Sequence, residues 1–227
     1  MSLTLWTRTS DYLYRDARLA LHTVLALLAG YLLLTLFVYL LPASLVDIEF
    51  SEEVQEHQSP LLDALMKGIS WFGSNLGAII SIVVATLGFW LARRRREALF
   101  VLATVGSLPV IAGTKLIMNR SRPTADLVRV VYEAQFQSFP SGHVTFYTVF
   151  FGFIAYLMYR MRGWPTPVRV GIGSFSLLLV FTVPFSRVYL GVHWGTDVLA
   201  GFFLGLSLLI GLLTWYNKSG DIKDIPV

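Results

Sequence analysis

The stretch that decides the architecture lies between two long apolar runs and reads Ser186-Arg187-Val188-Tyr189-Leu190-Gly191-Val192-His193-Trp194-Gly195-Thr196-Asp197. Its charged residues and its histidine therefore stand where a membrane segment meets the membrane surface. Ionisable side chains are costly at such a position and usually serve a function. His193 and Asp197 are four residues apart, so on a helix they share one face and can touch. A carboxylate against one ring nitrogen fixes the tautomer and leaves the other nitrogen to act as a nucleophile or a base.

The composition indicates an integral membrane protein. Of the 227 residues, 55% are hydrophobic and 14% are charged, whereas a typical soluble domain has about 25% charged residues. The chain has no cysteine, which excludes disulfides and thiolate metal sites. The net charge of +4 does not indicate a nucleic-acid partner, because most basic residues fall on one predicted side of the membrane, where they act as topology signals. The polar segment of residues 1–18 is too long for the start of a cleaved signal peptide, so we expect the first apolar run, residues 19–41, to be retained.

The apolar runs predict an all-α, polytopic membrane protein in which six transmembrane helices form one bundle and one domain over residues 1–227. A helix needs about 20 apolar residues to cross the hydrocarbon core. Residues 60–72 open with a proline and carry Asp63 and Lys67 among apolar side chains, which predicts a short amphipathic helix at the interface. The predicted spans are residues 19–41, 75–92, 97–118, 143–161, 168–183 and 196–216.

The basic residues predict the orientation of the chain. Residues 93–96 are four arginines directly after the second span, and further basic residues flank the other spans on the same side. Such residues accumulate on the cytoplasmic side. We therefore expect both termini to be cytoplasmic, and the acidic loop of residues 47–58 and the connector of residues 120–140 to lie on the outer face. For a bacterial protein, that is the extracytoplasmic face of the inner membrane.

Three polar stretches are predicted to meet at this outer face. They are Lys115-x6-Arg122-Pro123, Pro140-Ser141-Gly142-His143 and Ser186-Arg187-x5-His193-x3-Asp197. Arginine offers forked donors that match phosphate oxygens, and lysine adds a point charge. A serine and a glycine at a helix start can turn free backbone N–H groups toward an anion. The pattern predicts a phosphate site that needs no metal and no cofactor, because no cluster of carboxylates in the sequence suggests a two-metal site.

The three stretches, in this order, resemble the signature of the type 2 phosphatidic acid phosphatase family. One such motif alone is weak, but three in order at one membrane face are specific. The resemblance covers residues 115–197 and the six-span architecture. It implies that His193 attacks phosphorus and becomes a phosphohistidine, that Asp197 orients His193, and that His143 protonates the leaving oxygen and then activates water. It implies that the other motif residues bind the phosphate, namely Lys115, Arg122, Pro123, Ser141, Gly142 and Arg187.

Several polar or aromatic residues fit no motif position. Arg120 and Arg129 are interpreted as surface or lipid-headgroup contacts, and His22 and His57 as structural. Trp194, beside His193, is a candidate for lining the site. Gly201 and Gly205 form a G-x-x-x-G pair, which permits close helix packing either within the bundle or in a dimer. The sequence does not determine the oligomeric state.

The resemblance and the expected position of the site together predict a phosphatase that acts on a membrane lipid. A substrate with acyl or prenyl chains can reach the end of an apolar bundle sideways from the bilayer. The resemblance implies phosphatidylglycerophosphate, phosphatidic acid or undecaprenyl pyrophosphate as substrate, without a choice among them. A lipid A phosphatase or a phosphotransferase is an alternative enzyme. A channel or carrier for phosphorylated lipid, which would use the basic cluster without turnover, is the alternative from another class.

Overall fold

The computed structural model describes residues 17–42 and 44–221, and every regular element in these two ranges is helical. The N-terminal residues 1–16 and the basic residue Lys223 lie outside the described residues. A short 3-10 turn, Thr104–Gly106, joins the helix Arg95–Ala103 to the helix Ser107–Met118. The helices are α1 (Ala17–Leu40), α2 (Leu45–Val54), α3 (Pro60–Trp71), α4 (Asn75–Leu91), α5 (Arg95–Ala103), α6 (Ser107–Met118), α7 (Gly142–Arg160), α8 (Thr166–Tyr189) and α9 (Gly195–Asp221).

The prediction of an all-α, multi-pass membrane fold is confirmed. Within the described residues, five helical segments are long and apolar enough to cross a membrane: α1, α5 continued by α6, α7, α8 and α9. Helices α3 and α4 meet the same criterion only as a pair, bent by 53°. The predicted second span is therefore incomplete by itself, because α4 has 17 residues. The predicted amphipathic helix does form as α3, and its place at the membrane interface stays a prediction.

Two predicted boundaries are wrong. The fifth span was expected over residues 168–183, but α8 has 24 residues and ends at Tyr189. Ser186 and Arg187 are therefore part of the last turn of α8 rather than of a connector. The helix continues past the apolar run because Arg187 is buried inside the protein, 2% exposed, and so does not need to reach water.

The second difference concerns residues 47–58. They were predicted to form an acidic loop, but most of them fold as helix α2. Ser44 begins α2, and its side-chain oxygen accepts a hydrogen bond from the backbone N–H of Asp47. Ser59 and Ser74 begin α3 and α4 in the same way. Serine at this position satisfies one of the backbone donors that the first turn of a helix leaves unpaired.

Helix α7 forms the centre of the bundle. In the most apolar part of α7, 67% of the residues are buried inside the protein, compared with 11% in the most apolar part of α1. Helix α9 packs closely against α7 through the G-x-x-x-G pair. A methyl group on Gly201 would lie 2.8 Å from the carbonyl oxygen of Ser141, and one on Gly205 would lie 2.7 Å from Cβ of Thr148. The glycine pair is thus used for packing within the bundle.

The arginine-rich segments lie at the end of the bundle opposite to the predicted site. Arg96, at the start of α5, donates to the carbonyl oxygen of Tyr216 near the end of α9, and its guanidinium lies 4.0 Å from the centre of the Tyr216 ring. Arg169, at the start of α8, donates to the carbonyl of Met158 near the end of α7 at 2.8 Å. The motif residues occupy the other ends of these helices.

We predict that the arginine-rich end is cytoplasmic and the site end is on the outer face, because basic residues stay on the cytoplasmic side. The chain has no native cysteine, so single cysteines can report each side. Cysteine in Arg94→Cys should react with a membrane-impermeant maleimide only after lysis, whereas cysteine in Glu133→Cys should react in intact cells. Labelling of the Arg94→Cys protein in intact cells would contradict the orientation.

Candidate active site

Four helix ends form the candidate site: the last turns of α6 and α8 and the first turns of α7 and α9. His143, on the first turn of α7, lies within electrostatic range of Arg187, His193, Arg122 and Lys115. These residues belong to three different motifs. The structure therefore brings the predicted histidines and cations together at one end of the bundle.

His193 contacts Asp197 as predicted, but not for the predicted reason. The distance from His193 Nδ1 to Asp197 Oδ2 is 3.5 Å, and both side chains are buried. Helix α9 begins at Gly195, so His193 belongs to the turn that precedes it, and helical spacing does not set the contact. Gly191 makes this turn possible. Its φ is +68°, and a Cβ at this position would lie 2.0 Å from the carbonyl oxygen of Arg129, so only glycine fits here.

The Asp197 carboxylate accepts hydrogen bonds at both of its oxygens. Its Oδ2 accepts from the hydroxyl of Ser138 and from the backbone N–H of Trp194 at 2.9 Å. Its Oδ1 accepts from the guanidinium of Arg120. Buried charged groups need such partners to offset the loss of water. The carboxylate is thereby fixed with Oδ2 toward His193.

Arg120 and Asp47 are the residues that the sequence analysis missed. Arg120 was interpreted as a surface contact, but its side chain is 1% exposed and joins Asp197 to Asp47. Arg129 is not a free surface residue either, because it forms a part-buried ion pair with Asp63 of α3. Ser138 was missed as well. The sequence carried no local signal for these contacts, since Asp47 and Arg120 are far apart in the chain and neither occupies a specified position of a motif.

Arg187 and Ser141 each carry a buried polar group that can bind a ligand oxygen. Arg187 donates to the hydroxyl of Tyr132 at 2.8 Å and to that of Ser70. Its Nε and the Ser141 hydroxyl are buried without a hydrogen-bond partner among residues 17–42 and 44–221. The backbone N–H of Ser141 donates to the carbonyl of Asp197 at 3.0 Å, so this N–H is not available to an anion. Buried polar groups without partners are uncommon and suit a ligand oxygen.

Lys115 and Arg122 lie at the site and face backbone carbonyls of residues 135–137. Arg122 donates to Phe136 at 2.8 Å and to Gln135 at 2.9 Å, and Lys115 donates to Gln137. Phe136 has a φ of +65°, the left-handed conformation that turns its neighbours' carbonyls in this direction. Carbonyl oxygens are the same type of acceptor as phosphoryl oxygens, so these donors are arranged for an anion.

The surroundings of His193 favour its neutral form. Burial lowers the pKa of His193 well below the usual range, and the charges of Arg122, Arg187 and Lys115 lower it further. Nε2 of His193 lies 3.4 Å from Nη1 of Arg122. With Nδ1 directed at Asp197, the Nε2 lone pair faces the cations. A neutral imidazole in this position can attack an electrophile held by those cations.

His143 is positioned by the bend between α3 and α4. A Cβ on Gly73, at this bend, would lie 2.6 Å from Cδ2 of His143, so the ring fits because residue 73 has no side chain. On its own helix, the ring stacks with that of Tyr147 at a centroid distance of 6.4 Å. Pro123 is buried next to Arg122 and has no N–H to donate, so it can only help to position that arginine.

The chain is similar to known proteins in sequence. A family model described as the PAP2 superfamily matches residues 96–221. Phosphatidylglycerophosphatase B of Bacillus subtilis is 32% identical over 152 residues, which cover 66% of this chain and 73% of that protein. Decaprenylphosphoryl-5-phosphoribose phosphatase of Mycobacterium tuberculosis is 36% identical over 161 residues, which cover 66% of this chain and 81% of that protein.

The chain is also similar to a solved structure. The crystal structure of a transmembrane PAP2 type phosphatidylglycerolphosphate phosphatase from Bacillus subtilis superposes with a TM-score of 0.73 at 26% sequence identity. The match covers 90% of this chain and 98% of that one. The shared architecture therefore extends beyond the three motifs to almost the whole fold.

We predict that the site binds orthovanadate and that Arg187 is needed for binding, because its guanidinium and the neighbouring cations suit an oxyanion. Vanadate should raise the unfolding temperature of the detergent-solubilised protein, since a ligand at about 100 times its Kd adds about 2.7 kcal/mol of stability. Arg187→Gln should abolish most of this increase. Arg129→Gln is the matched control and should retain it. An equal increase in both variants, or none in the unsubstituted protein, would contradict the assignment.

Proposed function

The chain belongs to the PAP2 superfamily, and we propose that it is a membrane lipid phosphate phosphatase in which His193 is the nucleophile. The observation that carries this proposal is the environment of His193. Its ring is buried, its Nδ1 lies 3.5 Å from a carboxylate, and its Nε2 faces an arginine. A base or nucleophile oriented by a carboxylate and aimed at an anion site is the arrangement that phosphoryl transfer to histidine requires.

In the first step, Nε2 of His193 attacks phosphorus. The N–P bond forms while the bond from phosphorus to the leaving oxygen breaks, and His143 donates a proton to that oxygen. Negative charge spreads over the three other phosphoryl oxygens, where Lys115, Arg122 and Arg187 stabilise it. For this, Lys115 and Arg122 exchange the carbonyls of residues 135–137 for phosphoryl oxygens. Asp197 holds the Nδ1 proton as His193 becomes positively charged.

In the second step, water attacks the phosphohistidine. His143, now without its proton, takes one from the water molecule. The oxygen–phosphorus bond forms, the N–P bond breaks, and inorganic phosphate leaves. His193 returns to its neutral form and His143 is protonated again. The same two histidines thus complete the cycle without a resident cofactor.

The position of the site supports a lipid substrate. Leu116 and Ile117, directly after Lys115, are 73% and 82% exposed, and Phe136, on the loop that faces Arg122, is 78% exposed. Apolar side chains exposed next to a phosphate site suit contact with acyl or prenyl chains. The two relatives are named for different lipid-linked phosphates. We therefore propose phosphatidylglycerophosphate, phosphatidic acid and undecaprenyl pyrophosphate as the candidates to test.

The function is tested by phosphate release from these three lipids in the presence of a chelator. Purified protein should release inorganic phosphate from at least one of them in EDTA. Among the described residues, no group of three or more His, Asp or Glu side chains is arranged to hold a metal ion. Activity that EDTA abolishes and Mg²⁺ restores would contradict metal independence. Binding of a lipid phosphate without release from any of them would favour a carrier, and transfer to an added acceptor lipid would favour a phosphotransferase.

The two histidines should fail in different ways. His193→Ala should form no phosphoenzyme, because it lacks the nucleophile. With an aryl phosphate, whose leaving group needs little protonation, His143→Ala should still become phosphorylated and should then accumulate phosphohistidine. Loss of the general base should slow hydrolysis of the intermediate by about 10²–10⁴-fold.

The measurement is acid-labile, base-stable labelling from a radiolabelled substrate, with the site mapped by mass spectrometry. Label on His143, or label that persists in His193→Ala, would reverse the two assignments. Turnover without label in any variant would show direct attack by water.

A further inference from the structure

Arg120 stands out among the residues that the proposed reaction does not use. It occupies one of the unspecified positions between Lys115 and Arg122 in the first motif, yet it is buried and lies between two buried carboxylates, one of which is Asp197. We propose that Arg120 is a positioning residue for the nucleophile and that Asp47 on α2 holds Arg120 in place. The proposal rests on the function proposed above. It implies that the start of α2 contributes to catalysis by positioning Arg120.

Arg120 uses both ends of its guanidinium. Nη1 donates to Oδ1 of Asp197 and to the hydroxyl of Thr196 at 2.8 Å. Nη2 donates to Oδ2 of Asp47 at 2.7 Å, and Nε donates to the carbonyl of Pro42 at 3.0 Å. A planar fork with fixed donors can bridge two carboxylates in this way, whereas an ammonium group can only act as a point charge.

Asp47 is itself fixed by the residues around it. Its Oδ1 accepts from the backbone N–H of Thr196 at 2.9 Å, and its Oδ2 accepts from the hydroxyls of Thr196 at 2.8 Å and Ser44 at 3.0 Å. Helix α2 is therefore bonded directly to the first turn of α9. A displacement of Asp47 would be transmitted through Arg120 to Asp197.

The orientation of the Asp197 carboxylate depends on Arg120. Because Arg120 occupies Oδ1, Oδ2 is left for Ser138, the N–H of Trp194 and the contact with His193. Without the guanidinium, the carboxylate could rotate about its last bond. His193 would then lose the carboxylate near its Nδ1, where Ser138 Oγ at 3.4 Å is the other neighbouring group, and Nε2 would present a lone pair less often.

Arg120 also balances charge next to His193. Asp47 and Asp197 carry two negative charges against the single positive charge of Arg120. The other charged or titratable groups that face His193 are Lys115, Arg122, Arg187 and His143. If Arg120 became neutral, two buried carboxylates would lack their counter-ion, and His193 is the titratable group close to Asp197. Its protonated form would be stabilised, so the pKa of His193 would rise.

The sign of the expected pH effect follows from this. His193 attacks only as the neutral imidazole, so kcat/KM falls as pH drops below the pKa of His193. Arg120→Gln should therefore move the acid limb of the kcat/KM profile to higher pH. Arg120→Lys keeps the charge and should leave the limb near its original position. Asp47→Asn removes a negative charge and should not move the limb upward.

The rates should separate geometry from charge. Arg120→Gln should lower kcat by about 10²–10⁴-fold, the range for loss of an oriented acid–base partner, with KM nearly unchanged, because Arg120 does not touch the substrate. Arg120→Lys should recover part of kcat, and Asp47→Asn should lower kcat less than Arg120→Gln. Arg129→Gln and Asp63→Asn are the matched controls, since that Arg–Asp pair joins the same connector to α3 without touching Asp197.

Rates are referred to the concentration of sites that bind vanadate, so that loss of folded protein is not counted as loss of kcat. An unchanged kcat and an unchanged pH profile in Arg120→Gln would overturn the proposal. If Arg120→Gln does not fold, Arg120→Lys and Asp47→Asn decide, and the proposal fails if both retain full kcat. Equal losses in Arg129→Gln would also overturn it. If the unsubstituted protein releases phosphate from no lipid phosphate, the proposed function fails instead.

Discussion

The structure depends on keeping one carboxylate, that of Asp197, charged and buried at the start of α9. A buried charge without partners is very unfavourable, and partial pairing removes only part of the cost. The partners come from distant parts of the chain: Arg120 and Ser138 from the connector, and the Trp194 N–H from the turn before α9. The helix N-terminus adds a favourable dipole. The backbone of the same residue accepts from the N–H of Ser141, at the start of α7. The hydrogen bonds to Asp197 therefore hold the connector, the turn before α9 and the start of α7 together around His193.

The site also concentrates positive charge, which opposes folding and favours function. Lys115, Arg122 and Arg187 lie close enough to interact electrostatically with one another. Like charges at such distances repel, and polar contacts offset this repulsion: Tyr132 and Ser70 for Arg187, and loop carbonyls for the other two. Under the proposed function, the phosphate group of the substrate provides the missing negative charge. Conflicts of this kind between local stability and the rest of the fold are typical of functional sites.

The sequence predicted that the motif residues lie together and did not predict the residues that support them, for physical reasons. Polar groups at the ends of apolar runs can be identified from the sequence alone, as for Lys115, His143, Arg187 and His193. The contact between Asp47 and Arg120 cannot be identified in this way, because it joins segments 73 residues apart and neither residue interrupts an apolar run. The length of α8 was underestimated for a related reason. Arg187 resembles the polar end of a span, but a buried arginine with internal partners does not have to end one. The N-cap of α2 at Ser44 was a usable signal, because serine three residues before an acidic residue is a common helix start.

The contacts of Lys115 and Arg122 bear on which ligands the site can select. Several of their N–H groups already donate to the carbonyls of residues 135–137, so a ligand oxygen that binds these donors replaces a carbonyl oxygen. Replacing a neutral carbonyl by a neutral ester or hydroxyl oxygen gains almost nothing. Replacing it by a phosphoryl oxygen adds a negative charge on the acceptor to a bond whose donor is already positively charged, so the attraction between the two groups increases. Under the function proposed above, this exchange favours a terminal phosphate with two negative charges over the uncharged and zwitterionic headgroups of the bilayer. The loop carbonyls then act as competitors that a lipid without a terminal phosphate would displace less readily.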